Sequence, residues 1–237
     1  MSRTVPRIQA GRLIVESLRD LVRPPFSTLL GLNLLLTLAS SSLNGRVDGT
    51  VFVLWLILSA LSIYVDIAIV LAAGTTVAER STDAWIRAAF RIRCFWRFLA
   101  AEIMTFVLVV FGLLVVVVGG FAVGAYIALG LPVVALERRG PLQALSRSAI
   151  LTESARLPVG IVFGLLILLP NAGVQIGAWF GADRAQVLWV AANVLAVIML
   201  TAGTIAVTRA YVALGGKPAP AAADIKAPTS ARPPRQL

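Results

Sequence analysis

Histidine does not occur in these 237 residues, and cysteine occurs once, at Cys94. The first absence removes the commonest metal ligand and the commonest general base, which excludes a histidine zinc site and a Ser-His centre. The second excludes an intramolecular disulfide framework. With Arg91, Arg93 and Arg97 around it, Cys94 reads as a small buried apolar residue on the reducing side of a membrane. Charge is scarce too: 14% of residues are charged against 59% hydrophobic, with a mean hydropathy of +0.90. So little polar surface cannot coat a water-soluble globule of this length, and the chain reads as an integral membrane protein. Acids number 11 against 21 bases. The bases flank apolar runs, where topology and anionic headgroups account for them, so nucleic acid is excluded as a partner.

The bases fall in alternate gaps. Five Arg precede Phe26, Arg46 is alone in the next gap, five run from Arg80 to Arg97, none lies near Gly119, four run from Arg138 to Arg156, and Arg184 is alone again. Lys and Arg are retained on the cytoplasmic side of an inner membrane, so this alternation predicts six crossings with both termini cytoplasmic, in a bacterial plasma membrane.

The expected fold is all-α: a polytopic bundle of six transmembrane helices plus three amphipathic interfacial helices. Crossings are expected at about 26–43, 50–77, 99–118, 120–136, 157–180 and 185–214, and interfacial helices at 7–23, 81–97 and 141–156. The residues 1–214 form one helical membrane domain, and the Pro- and Ala-rich tail 215–237 is expected to be disordered and cytoplasmic. The basic stretch ahead of Phe26 is too long and too periodic for a signal peptide, which predicts an uncleaved first helix.

In the first interfacial segment Ile8, Gly11, Val15, Leu18 and Val22 recur at helical spacing, opposite Arg12, Glu16, Arg19 and Arg23, and Pro24 and Pro25 stop it. In the second, Trp85, Ala89, Ile92, Trp96 and Leu99 oppose Asp83, Arg87 and Arg91. In the third, Leu142, Leu145 and Ala149 oppose Gln143, Arg147 and Ser154, with Pro141 suited to the first turn. Each basic amphipathic helix precedes a pair of crossings, which suggests a degenerate threefold repeat.

Small residues recur at four-residue spacing at Gly120, Gly124 and Ala128, at Gly160 and Gly164, and at Gly173, Gly177 and Gly181. Such faces permit close helix packing, within the chain or in a homo-oligomer or with a protein partner. Pro170 and Asn171 interrupt the fifth crossing and predict a kink, with the freed carbonyl open to Asn171. Asp66 is the one acid well inside a crossing. It reads either as an intramembrane polar site, with Asn33, Asn193 and Gln175 as candidate neighbours, or as a hydrogen-bonded packing residue. Glu102 and Arg209 are placed at the cytoplasmic boundary, where snorkelling alone accounts for them. No second acid is expected at the depth of Asp66, so with no paired carboxylate, histidine or nucleophile motif the chain reads as a non-enzyme without cofactor or metal.

The order Leu131-Pro132-Val133-Val134-Ala135-Leu136-Glu137, followed by Gly140-Pro141, Ala144-Leu145, Arg147-Ser148 and Leu151-Thr152, resembles the membrane domain attached to some bacterial glycerophosphodiester phosphodiesterases, which also occurs as stand-alone six-helix inner-membrane proteins. The likeness is strongest over residues 131–165, and the layout agrees over roughly 8–214. It implies a helical membrane module; the catalytic barrel and its His and Glu residues have no counterpart here. Physically, Glu137 and Arg147 can pair to fix the third interfacial helix against the bundle, or Arg147 and Ser148 can bind lipid phosphate. Candidate headgroup contacts are therefore Arg87, Arg91, Arg147 and Ser148, with anionic membrane lipids as the expected partner. The leading expectation is a lipid-associated scaffold or envelope factor, and the alternative is a small transporter or permease subunit built around Asp66.

Overall fold

The computed structural model describes residues 8–43, 48–75, 81–92, 94–115, 123–173 and 186–216, and among them every regular element is helical. In chain order these are α1 Ala10–Asp20, α2 Phe26–Ser41, α3 Gly49–Gly74, α4 Thr82–Arg91, α5 Phe95–Val115, α6 Val123–Glu137, α7 Pro141–Thr152, α8 Arg156–Gly173 and α9 Gln186–Ala213. The expected bends at Asn44 to Arg46, at Gly119 and Gly120 and at Asp183 and Arg184 lie outside the described residues, as do Gln175, Gly177, Gly181 and the tail beyond 216.

Three of these helices, Gly49–Gly74, Arg156–Gly173 and Trp189–Ala213, are long and apolar enough to cross a membrane, fewer than the six expected. Phe26–Ser41 and Val123–Glu137 are apolar but short. At 1.5 Å per residue, the 16 residues of α2 reach only ~24 Å, below the ~30 Å hydrocarbon core. It ends where Ser40 and Ser42 turn their hydroxyls onto the carbonyls of Thr37 and Ala39 (2.9 and 2.7 Å). On α3, residues Phe52 to Ile57 are exposed on every side of the helix, whereas Ile67 to Leu71 are completely enclosed. An exposed apolar helix of that kind matches a lipid surface and not water.

Helix α3 packs on α2, α4 and α9, and α9 also packs on α1 and α2. The buried centre joins Leu29, Ile67, Val70, Leu129, Val133, Leu136, Ile205 and Ala206. Each amphipathic helix lies against the apolar helix that precedes it in cyclic order: α4 on α3, α7 on α6, and α1 on α9, the last helix of the chain. That arrangement extends the threefold layout from hydropathy to packing.

Gly124 and Gly160 make close contacts inside the chain, whereas Gly173, at the end of α8, is exposed with nothing within 4 Å of a Cβ there. A Cβ on Gly124 would fall 2.6 Å from the Phe163 ring, and one on Gly160 would fall 3.1 Å from the Ala125 methyl. The glycine faces of α6 and α8 are thus spent on each other, which removes Gly124 and Gly160 from any oligomer surface. In α8 the turn Gly164–Leu168 is π-wound just before Pro170, a widening that relieves the clash of the proline ring with the preceding turn. The expected role of Asn171 is not the one found: its amide donates to the Ile167 carbonyl at 3.0 Å, one residue beyond the Leu166 carbonyl that Pro170 leaves without its α-helical donor.

Two expected helices have different bounds or faces. The segment 81–97 is two helices, α4 ending at Arg91 and α5 starting at Phe95, so Trp85 is buried at 2% exposure while Trp96 stands out at 76%. In α7 the inward face is Ala144, Ser148, Leu151 and Thr152, and Leu142, expected on the apolar face, is exposed. Small side chains face the bundle there because α7 approaches α6 closely: a Cβ on Gly130 would sit 3.1 Å from Leu145.

Candidate functional site

Helix α1 presents three faces, not two. Ser17, Asp20 and Leu21 are buried, with Ala10, Leu13 and Ile14 packed on the core. Val15, Leu18 and Val22 point away from the bundle, and Arg12, Arg19 and Arg23 lie beside them on the exposed side. Of the apolar residues whose spacing defines the helix, Val15, Leu18 and Val22 therefore form its outer face, while Ile8 packs against the core. Ser17 is tolerated inside because its hydroxyl donates to Leu13 O at 2.6 Å. Asp20 is tolerated because Arg209 of α9 pairs with it, and the same guanidinium lies 4.0 Å from Glu16. Arg209 does more than snorkel: it anchors α1 to α9. On the exposed side Arg12 and Glu16 pair at 2.6 Å, and that contact holds the Glu16 carboxyl below its ordinary value.

At the end of α6 a second constellation forms around Glu137, whose side chain is 8% exposed. Its Oε2 accepts from Arg139 Nε at 2.6 Å, while its Oε1 accepts from the Tyr211 hydroxyl at 3.0 Å and lies 3.5 Å from Arg147 Nε. The expected Glu137–Arg147 pair is present and holds α7 to α6, and α9 joins it through Tyr211. Arg138 follows with a left-handed backbone, φ 57°, and its carbonyl accepts from Arg97 at the start of α5 (2.8 Å). These contacts gather the end of α1, the start of α5 and the ends of α6 and α9 at one end of the bundle.

Arg139 and Arg147 also line an open concavity of about 340 Å³ with Leu142, Gln143, Ser146 and Ile150. Ser148 is absent from it. It is wholly buried, and its hydroxyl donates to Tyr126 O at 2.6 Å while accepting from Leu129 N–H at 3.1 Å, which bridges the break in α6 at Ala128 and Leu129. The expectation of a headgroup contact at Ser148 is therefore corrected. A one-residue step from Arg147 turns the side chain by about 100° toward the bundle. Arg87 and Arg91 are exposed on α4, which packs on α3, and they do not line this concavity.

Inside the bundle Asn33 Nδ2 donates to Asp66 Oδ1 at 3.2 Å, and Asn33 Oδ1 accepts from Ser62 at 2.8 Å. The pairing of Asn33 with Asp66 is as anticipated, but Asn193 donates to Trp189 O of its own helix at 2.8 Å and takes no part. Glu102 on α5, a helix that packs on α3, lies within electrostatic reach of Asp66. Ser62, missing from the sequence reading, has a local signal, one helical turn before Asp66; Tyr211 and Arg139 carry no local signal as partners of Glu137. Cys94 is buried, and burial pushes its thiol up, away from thiolate reactivity. Among the described residues no group of three or more acids, Cys or His is placed to hold a metal ion.

Comparison with protein-family models, curated proteins and solved structures finds no match to this chain.

Proposed function

We propose that the chain is a six-crossing protein of a bacterial inner membrane, with both termini cytoplasmic, acting as a non-enzymatic, lipid-associated scaffold or envelope factor. In this reading α2, α5 and α6 are crossings alongside the three longer helices, and α1, α4 and α7 rest at the cytoplasmic headgroup layer. The likeness over residues 131–165 to the membrane domain of glycerophosphodiester phosphodiesterases belongs to the same reading, without that family's catalysis.

The observation that carries it is the outer surface of α1. Val15 and Val22, 65% and 79% exposed, stand beside Arg12, Arg19 and Arg23. A surface of apolar residues rimmed by guanidinium groups suits the boundary between acyl chains and anionic headgroups, where each basic residue contributes ~1 kcal/mol. The test is native mass spectrometry of the full chain released from mild detergent with mixed lipids. Retention of anionic over zwitterionic lipid is expected, and Arg19→Glu with Arg87→Glu lowers it. Equal retention of both lipid classes by the wild type would refute the reading.

A further inference from the structure

Resting on the membrane reading above, we propose that the open concavity formed by the α6–α7 connector and the outer face of α7 is a discrete site for the phosphate of one anionic phosphodiester lipid of the phosphatidylglycerol type. Glu137 hydrogen-bonds the Arg139 guanidinium through its Nε at 2.6 Å, and the Arg147 Nε lies within ion-pair distance of the same carboxylate at 3.5 Å without a hydrogen bond. The terminal Nη groups are left as the donors for a ligand. The two side chains are 47% and 31% exposed, so they reach solvent, while the carboxylate behind them at 8% does not. Tyr211 fixes that carboxylate from the far side. One guanidinium hydrogen-bonded to a nearly enclosed acid and a second drawn to the same acid by charge place two phosphate donors side by side before the ligand arrives.

The rest of the lining completes the chemistry. Gln143 and Ser146 are exposed and supply an amide and a hydroxyl, and Leu142 and Ile150, 72% and 61% exposed, flank them. An ion that is only phosphate has no use for those two side chains, whereas the first carbons of an acyl chain cover them. The charge selects the headgroup: two guanidinium groups less one carboxylate leave a single positive charge, which a phosphodiester monoanion neutralises. The concavity is open and about 340 Å³, so it seats a headgroup at the surface and does not enclose a whole lipid.

The experiment titrates the full chain in mild detergent with phosphatidylglycerol, phosphatidylcholine or inorganic phosphate and counts bound lipids by native mass spectrometry. One phosphatidylglycerol is expected to bind more tightly than the remaining annular lipids. Arg139→Gln and, separately, Ser146→Asp, which touches no contact of Glu137, weaken that lipid roughly tenfold or more and leave the annular preference for anionic lipid in place. A tightly bound phosphatidylglycerol that neither variant weakens, or no lipid tighter than the annular ones, overturns the groove and leaves the general reading standing; a wild type with no anionic preference overturns both. Displacement of the tight lipid by inorganic phosphate at equal concentration overturns the lipid assignment in favour of free phosphate.

Discussion

Tyr211 and Glu137 lie 74 positions apart in the chain and meet at 3.0 Å, the phenol donating to a carboxylate that is nearly enclosed. This contact ties α9 to α6 at the end of the bundle where α7 also docks. Tyr211→Phe removes one hydrogen bond to a charged group, a loss of about 1.5–3 kcal/mol. Glu137→Ala removes the shared acceptor of Tyr211, Arg139 and Arg147, and is expected to lower the melting temperature in detergent more than Tyr211→Phe does. Equal melting of the two variants would contradict the shared-acceptor arrangement.

The Asp20–Arg209 pair joins the first helix to the last, with side chains 12% and 32% exposed. Breaking it from either side, by Asp20→Arg or Arg209→Asp, costs on the order of 2 kcal/mol, less than a fully buried pair because water reaches the guanidinium. The double swap is expected to recover most of that loss. Protease cutting between α1 and α2 reports the outcome, and a swap as susceptible as the single variants would show that the pair does not hold α1.

Ser148 supplies the hydrogen bonds that α6 lacks at its break. Ser148→Ala leaves the Leu129 N–H without that acceptor in a buried place, a cost of about 1–3 kcal/mol. Thermal unfolding of the alanine and threonine variants separates this from packing alone: the hydroxyl of threonine restores stability if the bridge is the cause.

Gly203 lets α9 approach the π-wound turn of α8, and a Cβ there would sit 2.6 Å from Ile167 Cγ1 and 3.2 Å from Leu166 O. Gly203→Ala is expected to destabilise by about 1–3 kcal/mol. Gly31→Ala, where nothing lies within 4 Å, is expected to be neutral or to stabilise by up to about 1 kcal/mol through helix propensity. The two melting curves, compared directly, check the close approach.

Asp66→Asn keeps the acceptor for Asn33 and removes an ionisable group from the bundle. The variant is expected to express and melt like the wild type or slightly above it, while Asp66→Leu, which strands the Asn33 amide, melts lower. Loss of a proton-coupled flux in Asp66→Asn with stability intact would establish the transport alternative in place of the scaffold.

The helical class, helices long and apolar enough to cross a membrane, the bounds of α3 and α9 to within a few residues and the existence of three amphipathic helices were legible in the chain alone. Each follows from local hydropathy and charge, which act residue by residue whatever the partners: a 26-residue run like Gly49–Gly74 has one low-energy environment. The Asn33–Asp66 and Glu137–Arg147 pairs were legible for the same reason, since isolated polar groups among apolar ones have few partners to choose from.

Which side of an amphipathic helix faces protein was decided by the tertiary structure. Hydrophobic periodicity marks the face that leaves water, and in a bilayer that face can point to lipid as well as to the core, so Val15 and Val22 point outward while Ser17 and Asp20 point in. Ser148 went to the interior because the broken α6 needed its hydroxyl, and Arg209 to Asp20 because the last helix closes against the first. Such choices depend on contacts between residues far apart in sequence, and no periodicity within a single helix contains them.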